Sequence, residues 1–338
     1  MKKIKVLYHL PYSESLYADR FIGEGYRDAF IDKGHLFKFL TVEDNFSQLI
    51  SEFKPNIFIT SVYYYQQIDL IKLSWVRKQG LKVFFNSPLP HQLPFTDELK
   101  SVVKNRGFGD AYFGAFDENS GNQLCDLLGI AYHHVPLAAN KKYHFPTASV
   151  KKYECDIIFM GANLPDKRET FQEWLFPLFK KNYNIKLFGR DWTKLDILKR
   201  KISSLSQKLR LPWLRNLRNF VIPLEEENQL YSSAKISINI HDLRQQREGI
   251  DVNERTFKVP ACGGFEICDP VLIVRRYFNK DEVVVARNPK EWFQLIDYYL
   301  NHDSERKVIQ AKGTARALRD HTYHNRVDQL LGIYHSLK

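Results

Sequence analysis

Short apolar runs alternate with helical patterns along the 338-residue chain, and this alternation limits the possible folds more than any other feature. In the first half, the runs that predict strands lie at residues 4–8, 36–40, 57–60, 83–86 and 111–114. The patterns that predict helices lie at residues 18–33, 46–53, 68–78 and 120–128. Strands separated by helices in this way form βαβ units around a parallel sheet. The first half therefore predicts a Rossmann-like domain.

A second alternation follows residues 136–146, which read as a linker bounded by two prolines. Strands are predicted at residues 157–160, 185–188, 236–240, 265–268 and 283–286, and residues 221–222 continue the pattern. Helices are predicted at residues 170–181 and 225–233, and from 289 onward. We therefore expect Rossmann-like domains at 1–140 and 150–320, closed by a terminal helix at 321–338. Ligands of open α/β sheets lie beyond the carboxyl ends of the strands, so a cleft between the two domains is the expected site.

The net charge of +11 indicates an anionic partner, and nucleotide-sugar phosphates, lipid headgroups and nucleic acid all fit it. Nucleic acid is the weakest of the three, because no recognisable reading motif accompanies the charge. The mean hydropathy is −0.40, and no apolar run approaches the roughly 20 residues that cross a bilayer. The apolar part of the N-terminal segment stops at Pro11, too early for a secretion signal. These features predict a cytoplasmic protein.

Several common cofactor and metal motifs are missing from the sequence. The four cysteines lack Cys-x-x-Cys spacing, and no His/Asp cluster has metal-ligand spacing, so we expect reduced thiols and no metal. There is no Walker loop and no Gly-x-Gly-x-x-Gly after the first strand, which argues against a dinucleotide-binding dehydrogenase.

Residues 252–269 read as a short helix, a Gly263-Gly264 turn and a strand, and they follow a strand-like run and a polar loop. A helix that begins after a loop presents free N–H groups and a positive dipole end to a phosphate. Arg255 and Thr256 stand at that beginning, where a guanidinium and a hydroxyl can hold a diphosphate. Paired glycines let the backbone approach a ligand. A tight turn beside a solvated arginine explains the same residues equally well.

These residues resemble the signature of the CgeB-like (spore maturation protein) glycosyltransferases, at Arg255-Thr256-Phe257 and at 260–264. Further segments resemble the same family in the same order: 158–161 with Arg168, 187–192, 230–231 with 238–241, and 321–323 with Arg326. The resemblance covers roughly the C-terminal half. It implies a GT-B fold of two Rossmann-like domains, a nucleotide-sugar donor as substrate, no cofactor and no metal requirement.

Motif and resemblance together predict a set of donor-binding residues in the second domain. They are Gly161, Arg168, Gly189, His241, Asn253, Arg255, Thr256, Lys258, Gly263 and Gly264. A surface role for Arg168 and a loop-capping role for His241 remain open alternatives. If the reaction inverts the anomeric centre, a general base must take the proton of the acceptor hydroxyl, and the resemblance to GT-B enzymes implies that the first domain supplies it. His91 and then Asp117 are the candidates, because both follow strand ends and the pKa of histidine lies nearer neutrality.

Lys258 is a departure from the family pattern, because such families usually carry there a Glu that holds the nucleotide ribose. It lies one helical turn from Arg255, so both side chains can share one helix face. A lysine there repels neither the diphosphate nor an acidic sugar, whereas a glutamate would repel both. We therefore expect the protein to tolerate a donor with extra negative charge, such as a uronic acid sugar. Loss of transfer activity is the alternative consequence.

The segment 194–218 carries eight basic residues against one acid, and its leucines and isoleucines recur at helical spacing. A basic amphipathic helix with Trp213 nearby can lie on an anionic membrane surface. Packing of the apolar stripe on the second domain is the alternative.

The sequence thus predicts a glycosyltransferase with a glycan, lipid-linked or protein acceptor, cytoplasmic or peripheral on the inner face of the membrane. The alternative is a nucleotide-sugar-binding protein that has lost transfer activity and serves a structural or regulatory role.

Overall fold

The computed structural model describes residues 3–12, 18–61, 68–86, 101, 109–122, 129–208 and 222–337. The chain forms two compact units, Met1–Asn140 with His321–Lys338, and Lys141–Asp320. The terminal helix, expected as a separate element, thus belongs to the first unit. None of the helices in these ranges has the length and apolar character needed to cross a membrane.

The first unit is built on a parallel sheet with helices between its strands. Its strands are β1 (Lys5–His9), β2 (Leu36–Leu40), β3 (Ile57–Thr60), β4 (Lys82–Asn86), β5 (Ala111–Gly114) and β6 (Tyr132–His134). Its helices include α1 (Ala18–Asp32), α2 (Phe46–Phe53) and α3 (Leu70–Arg77). The strand order is β2-β1-β3-β4-β5-β6. The predicted strands are confirmed to within one residue at each end, whereas β6 was not predicted, because two of its three residues are histidines.

Residues near the C-terminus complete the core of this unit. The helix α12 (Tyr323–Ser336) places Tyr323 against α1, where a Cβ on Gly25 would overlap the tyrosine ring. Arg326 is buried and donates hydrogen bonds to the carbonyl oxygens of Pro136 and Leu137, at 2.8 and 3.2 Å. The last helix is therefore held to this unit by the packing of Tyr323 and by the hydrogen bonds from Arg326 to backbone carbonyls.

The second unit has its own parallel sheet, in the order β11-β10-β9-β7-β8. Its strands are β7 (Cys155–Met160), β8 (Ile185–Phe188), β9 (Ala234–Asn239), β10 (Glu266–Cys268) and β11 (Val284–Val285). Its helices are α4 (Arg168–Trp174), α5 (Lys194–Lys208), α6 (Glu227–Ser233), α7 (Leu243–Glu248), α8 (Arg255–Ala261), α9 (Val274–Tyr277), α10 (Pro289–Asn301) and α11 (Asp303–Asp320). Because β9 lies between β7 and β10, the carboxyl ends of these three strands meet at one edge of the sheet.

Two predictions for the second unit were wrong in detail. The helix predicted at 170–181 is the α-helix α4 followed by a separate 3₁₀ turn, Phe176–Lys180. Pro177 explains the break, because it has no N–H to donate to the preceding turn. Residue 222 lies in a bend rather than a strand, and residue 221 is outside the described residues.

Candidate functional site

Two glycines bring the loops after β7 and β8 into close contact. Gly189 has a φ of 140°, and a Cβ there would overlap the carbonyl oxygen of Gly161. The Gly161 N–H donates to the Phe188 carbonyl at 2.8 Å, and its carbonyl accepts from the Trp192 indole at 2.8 Å. A Cβ on Gly161 would lie 3.2 Å from an Arg255 guanidinium nitrogen. These predicted donor-binding glycines therefore shape the backbone around Arg255.

Arg255 joins the ends of two neighbouring strands at the carboxyl edge of this sheet. Its guanidinium donates to the carbonyl oxygen of Met160 at 3.1 Å and to that of Ile240 at 2.7 Å. Its Nε donates to Oδ1 of Asn239 at 3.1 Å, and the guanidinium carbon lies 5.4 Å from the centre of the Phe159 ring. The side chain is partly exposed. Within the described part of the chain, three of its five N–H groups have acceptors, which leaves two for a ligand.

Asn239 lies at the centre of a buried polar network beneath Arg255. Its side-chain nitrogen donates to Thr256 Oγ1 at 3.0 Å and to Glu266 Oε1 at 2.7 Å. Its oxygen accepts from the Asn253 side chain at 2.9 Å, and Asn253 accepts the backbone N–H of Arg255 at 3.0 Å. Asn253 therefore positions the first residue of α8, and Thr256, with no exposed surface, lies in the network.

Sequence reasoning did not assign site roles to Asn239 and Glu266, although a signal was present. Asn239 stands in the run Ile-Ser-Ile-Asn-Ile, where a half-exposed strand would expose the polar positions. Both Ser237 and Asn239 are instead buried, because β9 is a central strand of a parallel sheet. Polar residues inside a predicted central strand thus indicate a buried hydrogen-bond network.

His241 has protein partners on both ring nitrogens and has no exposed surface. Its Nδ1 lies 2.5 Å from Asp269 Oδ1, and its Nε2 lies 3.3 Å from Thr256 Oγ1. The backbone N–H of His241 donates to Asp269 Oδ2 at 2.7 Å, and the Gln246 side chain donates to the same oxygen at 2.5 Å. These contacts favour the loop-holding alternative for His241 over direct contact with a donor.

His241, Cys268 and Asp269 form a buried group whose possible metal-ligand atoms lie within 4.8 Å of one another. Burial raises the pKa of the Cys268 thiol well above its ordinary value, with the charge of Asp269 adding to the effect. The ligand atoms of His241 and Asp269 are already hydrogen-bonded to each other, at 2.5 Å. The group therefore fits a satisfied polar cluster better than a metal centre.

Lys258 is buried, and its ammonium lies between carboxylates. The Nζ atom is 3.2 Å from Glu254 Oε2 and 3.7 Å from Glu227 Oε1. Glu227 is also 3.2 Å from His144 Nε2. Burial alone raises the pKa of Glu227, but the charges of Lys258 and His144 outweigh it and lower that pKa to about 2. This position favours a structural ion pair over the predicted contact with the donor.

The remaining predicted residues are spread over both units. Arg168 is the first residue of α4 and is exposed, which favours its surface alternative. Gly263 has a φ of 72°, and a Cβ on Gly264 would lie 2.9 Å from Val259, so the pair closes α8 onto β10. In the first unit, Asp117 Oδ1 accepts the Ser120 N–H at 2.9 Å. His91 lies outside the described residues.

Comparison with known proteins adds a family model and solved structures. The family model described as "Glycosyl transferase-like" matches residues 168–332. Sucrose-phosphate synthase from Thermosynechococcus elongatus is 13% identical, with 99% of each chain covered and a TM-score of 0.65. A glycosyltransferase from Rickettsia africae is 12% identical, with 100% of this chain and 99% of that chain covered and a TM-score of 0.67.

Anabaena HepE, solved in complex with UDP and glucose, is 10% identical, with 98% of this chain and 100% of that chain covered and a TM-score of 0.62. The chain has the GT-B fold. The network around Arg255 lies at the carboxyl edge of the sheet in the second of the two Rossmann-like domains that make up this fold. No curated protein matches the sequence.

Proposed function

We propose that the protein is a glycosyltransferase that moves a sugar from a nucleotide-sugar donor to an acceptor. The observation that carries the proposal is Arg255, a partly exposed cation fixed at the carboxyl ends of β7 and β9. The match of residues 168–332 to a glycosyltransferase-like family supports the same activity. The order of the motifs supports membership of the CgeB-like subfamily.

The reaction requires positive charge where the leaving diphosphate forms. As the bond between sugar and phosphate breaks, negative charge grows on the diphosphate, and a fixed guanidinium stabilises it without reorganising. Arg255 is already held by three acceptors, so its remaining N–H groups have a defined direction. The helix α8 has only seven residues, so we assign the main charge to the guanidinium rather than to the helix dipole. We propose that transfer needs no metal ion or cofactor.

The acceptor class we propose is a glycan, a lipid-linked sugar or a protein. If configuration is inverted, His91 is our first choice for the base that takes the acceptor proton, followed by Asp117. Asp117 already accepts a backbone N–H, which orients its carboxylate but occupies one oxygen.

Donor hydrolysis without an acceptor tests whether the protein is an enzyme. We expect slow release of nucleoside diphosphate from one nucleotide sugar, because a fixed cation that stabilises the leaving group also assists transfer to water. Thermal shift first identifies the donor, since a ligand at a hundredfold its dissociation constant stabilises by about 2.7 kcal/mol. A donor that shifts the melting temperature but is never hydrolysed supports the alternative of a binding protein without transfer activity. No shift with any nucleotide sugar contradicts both.

A second proposal concerns the basic helix α5, which we propose lies on an anionic membrane. Leu195, Leu198 and Leu205 are all more than half exposed, at 59%, 53% and 55%. This exposure favours membrane contact over the alternative in which the apolar stripe packs on the second unit. Lysines next to the stripe would each contribute on the order of 1 kcal/mol near an anionic surface.

Vesicle sedimentation tests this membrane proposal. We expect the protein to pellet with phosphatidylserine vesicles at low salt, to pellet little with phosphatidylcholine vesicles, and to dissociate as salt rises. Replacing Leu195 and Leu198 with Asn should reduce pelleting, whereas the matched change of the exposed Ile71 and Leu272 to Asn should not. Equal, negligible pelleting with both lipids would rule out the membrane proposal.

A further inference from the structure

Among the described residues, Glu266 differs from Glu227 and Asp269, the other buried acids around the site, in having no basic side chain as a direct partner. Glu227 lies beside Lys258, and Asp269 lies beside His241. Glu266 is 2% exposed, and its Oε1 accepts the Asn239 side-chain N–H at 2.7 Å. Its Oε2 is buried and has no hydrogen-bond partner among the described residues. Removing an ionised carboxylate from water without a paired charge is costly, so such a group takes up a proton instead.

The surroundings of Glu266 agree with a neutral acid near pH 7. Burial raises the pKa of Glu266 to about 8; the hydrogen bond from Asn239 and the charge of Arg255 oppose this rise, and the charge of Asp269 adds to it. In the described part of the chain, Tyr231 and Cys268 also interact with Glu266. Burial raises the pKa of the Tyr231 hydroxyl and that of the Cys268 thiol well above their ordinary values, so both groups are also neutral near pH 7.

Glu266 is one of the groups that fix which way the Asn239 amide points. The amide nitrogen donates to Glu266 and Thr256, so the oxygen points away from them. There the oxygen accepts from Asn253 Nδ2 at 2.9 Å and from Arg255 Nε at 3.1 Å. If the amide were reversed, its NH₂ group would face these two donors and both hydrogen bonds would be lost.

We infer that Glu266 is a positioning residue for the donor diphosphate: as a neutral acid, it orients Asn239, which in turn fixes the Nε edge of Arg255. The inference rests on the proposed function, because it requires Arg255 to contact the donor. Ionisation of Glu266 would place a negative charge near Arg255, where it competes with the diphosphate. Donor affinity should therefore fall as pH rises through about 8.

Calorimetric titration with UDP from pH 7.0 to 9.5 tests this role. The range lies above the second phosphate ionisation, near pH 6, so the charge of the diphosphate is nearly constant, and ionisation of the uracil ring toward the top of the range affects every variant alike. We expect the ratio of the wild-type Kd to the Glu266→Gln Kd to rise about tenfold across the range, because the amide keeps the acceptor without a charge. Glu266→Leu removes the acceptor and should weaken binding about tenfold at every pH. The same pH dependence in Glu266→Gln and wild type, or wild-type affinity in Glu266→Leu, would overturn the inference.

Infrared difference spectra of wild type minus Glu266→Gln supply a readout that needs no nucleotide. We expect the carbonyl stretch of a neutral carboxylic acid at pH 7 and its loss at pH 9.5. If Glu266→Leu does not fold, the comparison of Glu266→Gln with wild type tests the positioning role by itself. A wild type that binds UDP without showing this band contradicts the positioning role alone. A wild type that shows the band but binds no nucleoside diphosphate contradicts the proposed function and, with it, the positioning role.

Discussion

Replacing Lys258 with methionine is expected to lower the free energy of unfolding by about 3–5 kcal/mol. The ammonium is buried, and it lies 3.2 Å from Glu254 and 3.7 Å from Glu227. Methionine keeps the length of the side chain but leaves the carboxylate of Glu227 buried, with His144 as its remaining ion-pair partner among the described residues. Equilibrium denaturation with urea at pH 7 measures the loss, because the midpoint and slope give the free energy directly.

Two further variants separate the charge effect from simple packing damage. Lys258→Arg keeps the positive charge and should lose much less stability. The double variant Glu227→Gln with Lys258→Met removes both charges and should recover part of the loss, which a double-mutant cycle measures as coupling. A Lys258→Met protein within about 1 kcal/mol of wild type would contradict the buried ion pair. It would instead favour the hypothesis that Lys258 faces the donor and selects an acidic sugar.

The same ion pair predicts how wild-type stability depends on acid. The pKa of Glu227 is about 2 in the folded protein, compared with an ordinary value of 4.5. A carboxyl with a lowered folded pKa contributes stability that is complete above its unfolded pKa and is lost as pH falls toward the folded value. Wild type should therefore lose this contribution between about pH 5 and pH 2, and Lys258→Met should lose less of its remaining stability over that range.

The fold could be predicted from the sequence because local patterns determine most of it. Strands such as β2 and β8 are short, mostly apolar runs between polar loops, and their predicted bounds are confirmed. The pattern failed where a strand is short and polar, as in Tyr132–His134, and where Pro177 breaks a helical pattern. The position of the last helix on the first unit depends on contacts between distant segments, such as Tyr323 with Gly25, which spacing alone does not reveal.

The site was harder to predict because the partners of its charged side chains are distant in sequence. Lys258 reads as a surface lysine one turn after Arg255, and only the fold brings Glu227 to it. Glu266 reads as a polar residue in a strand, and only the fold shows that it is buried beside Asn239, where burial raises its pKa to about 8. The sequence indicates which residue types carry the chemistry, whereas the fold determines which of them remain accessible to a ligand.

Removing Arg255 is the second change for which we expect a large effect. Arg255→Ala should weaken nucleoside diphosphate binding by about 1.5–3 kcal/mol, the range for hydrogen bonds to a charged group. It should also reduce stability, because the carbonyl oxygens of Met160 and Ile240 lose their donor. Arg275 is a matched control, since its guanidinium likewise donates to backbone carbonyls, those of Phe278, Asn279 and Val283. Arg275→Ala should lose stability without losing nucleotide affinity.

Calorimetric titration of wild type, Arg255→Ala and Arg275→Ala with UDP, GDP and CDP, at a temperature where all three proteins are folded, tests the placement of the donor most directly. We expect one diphosphate to bind wild type and Arg275→Ala with similar Kd, and to bind Arg255→Ala about 10- to 100-fold more weakly. Equal affinity for Arg255→Ala and wild type would contradict the placement of the donor diphosphate at Arg255.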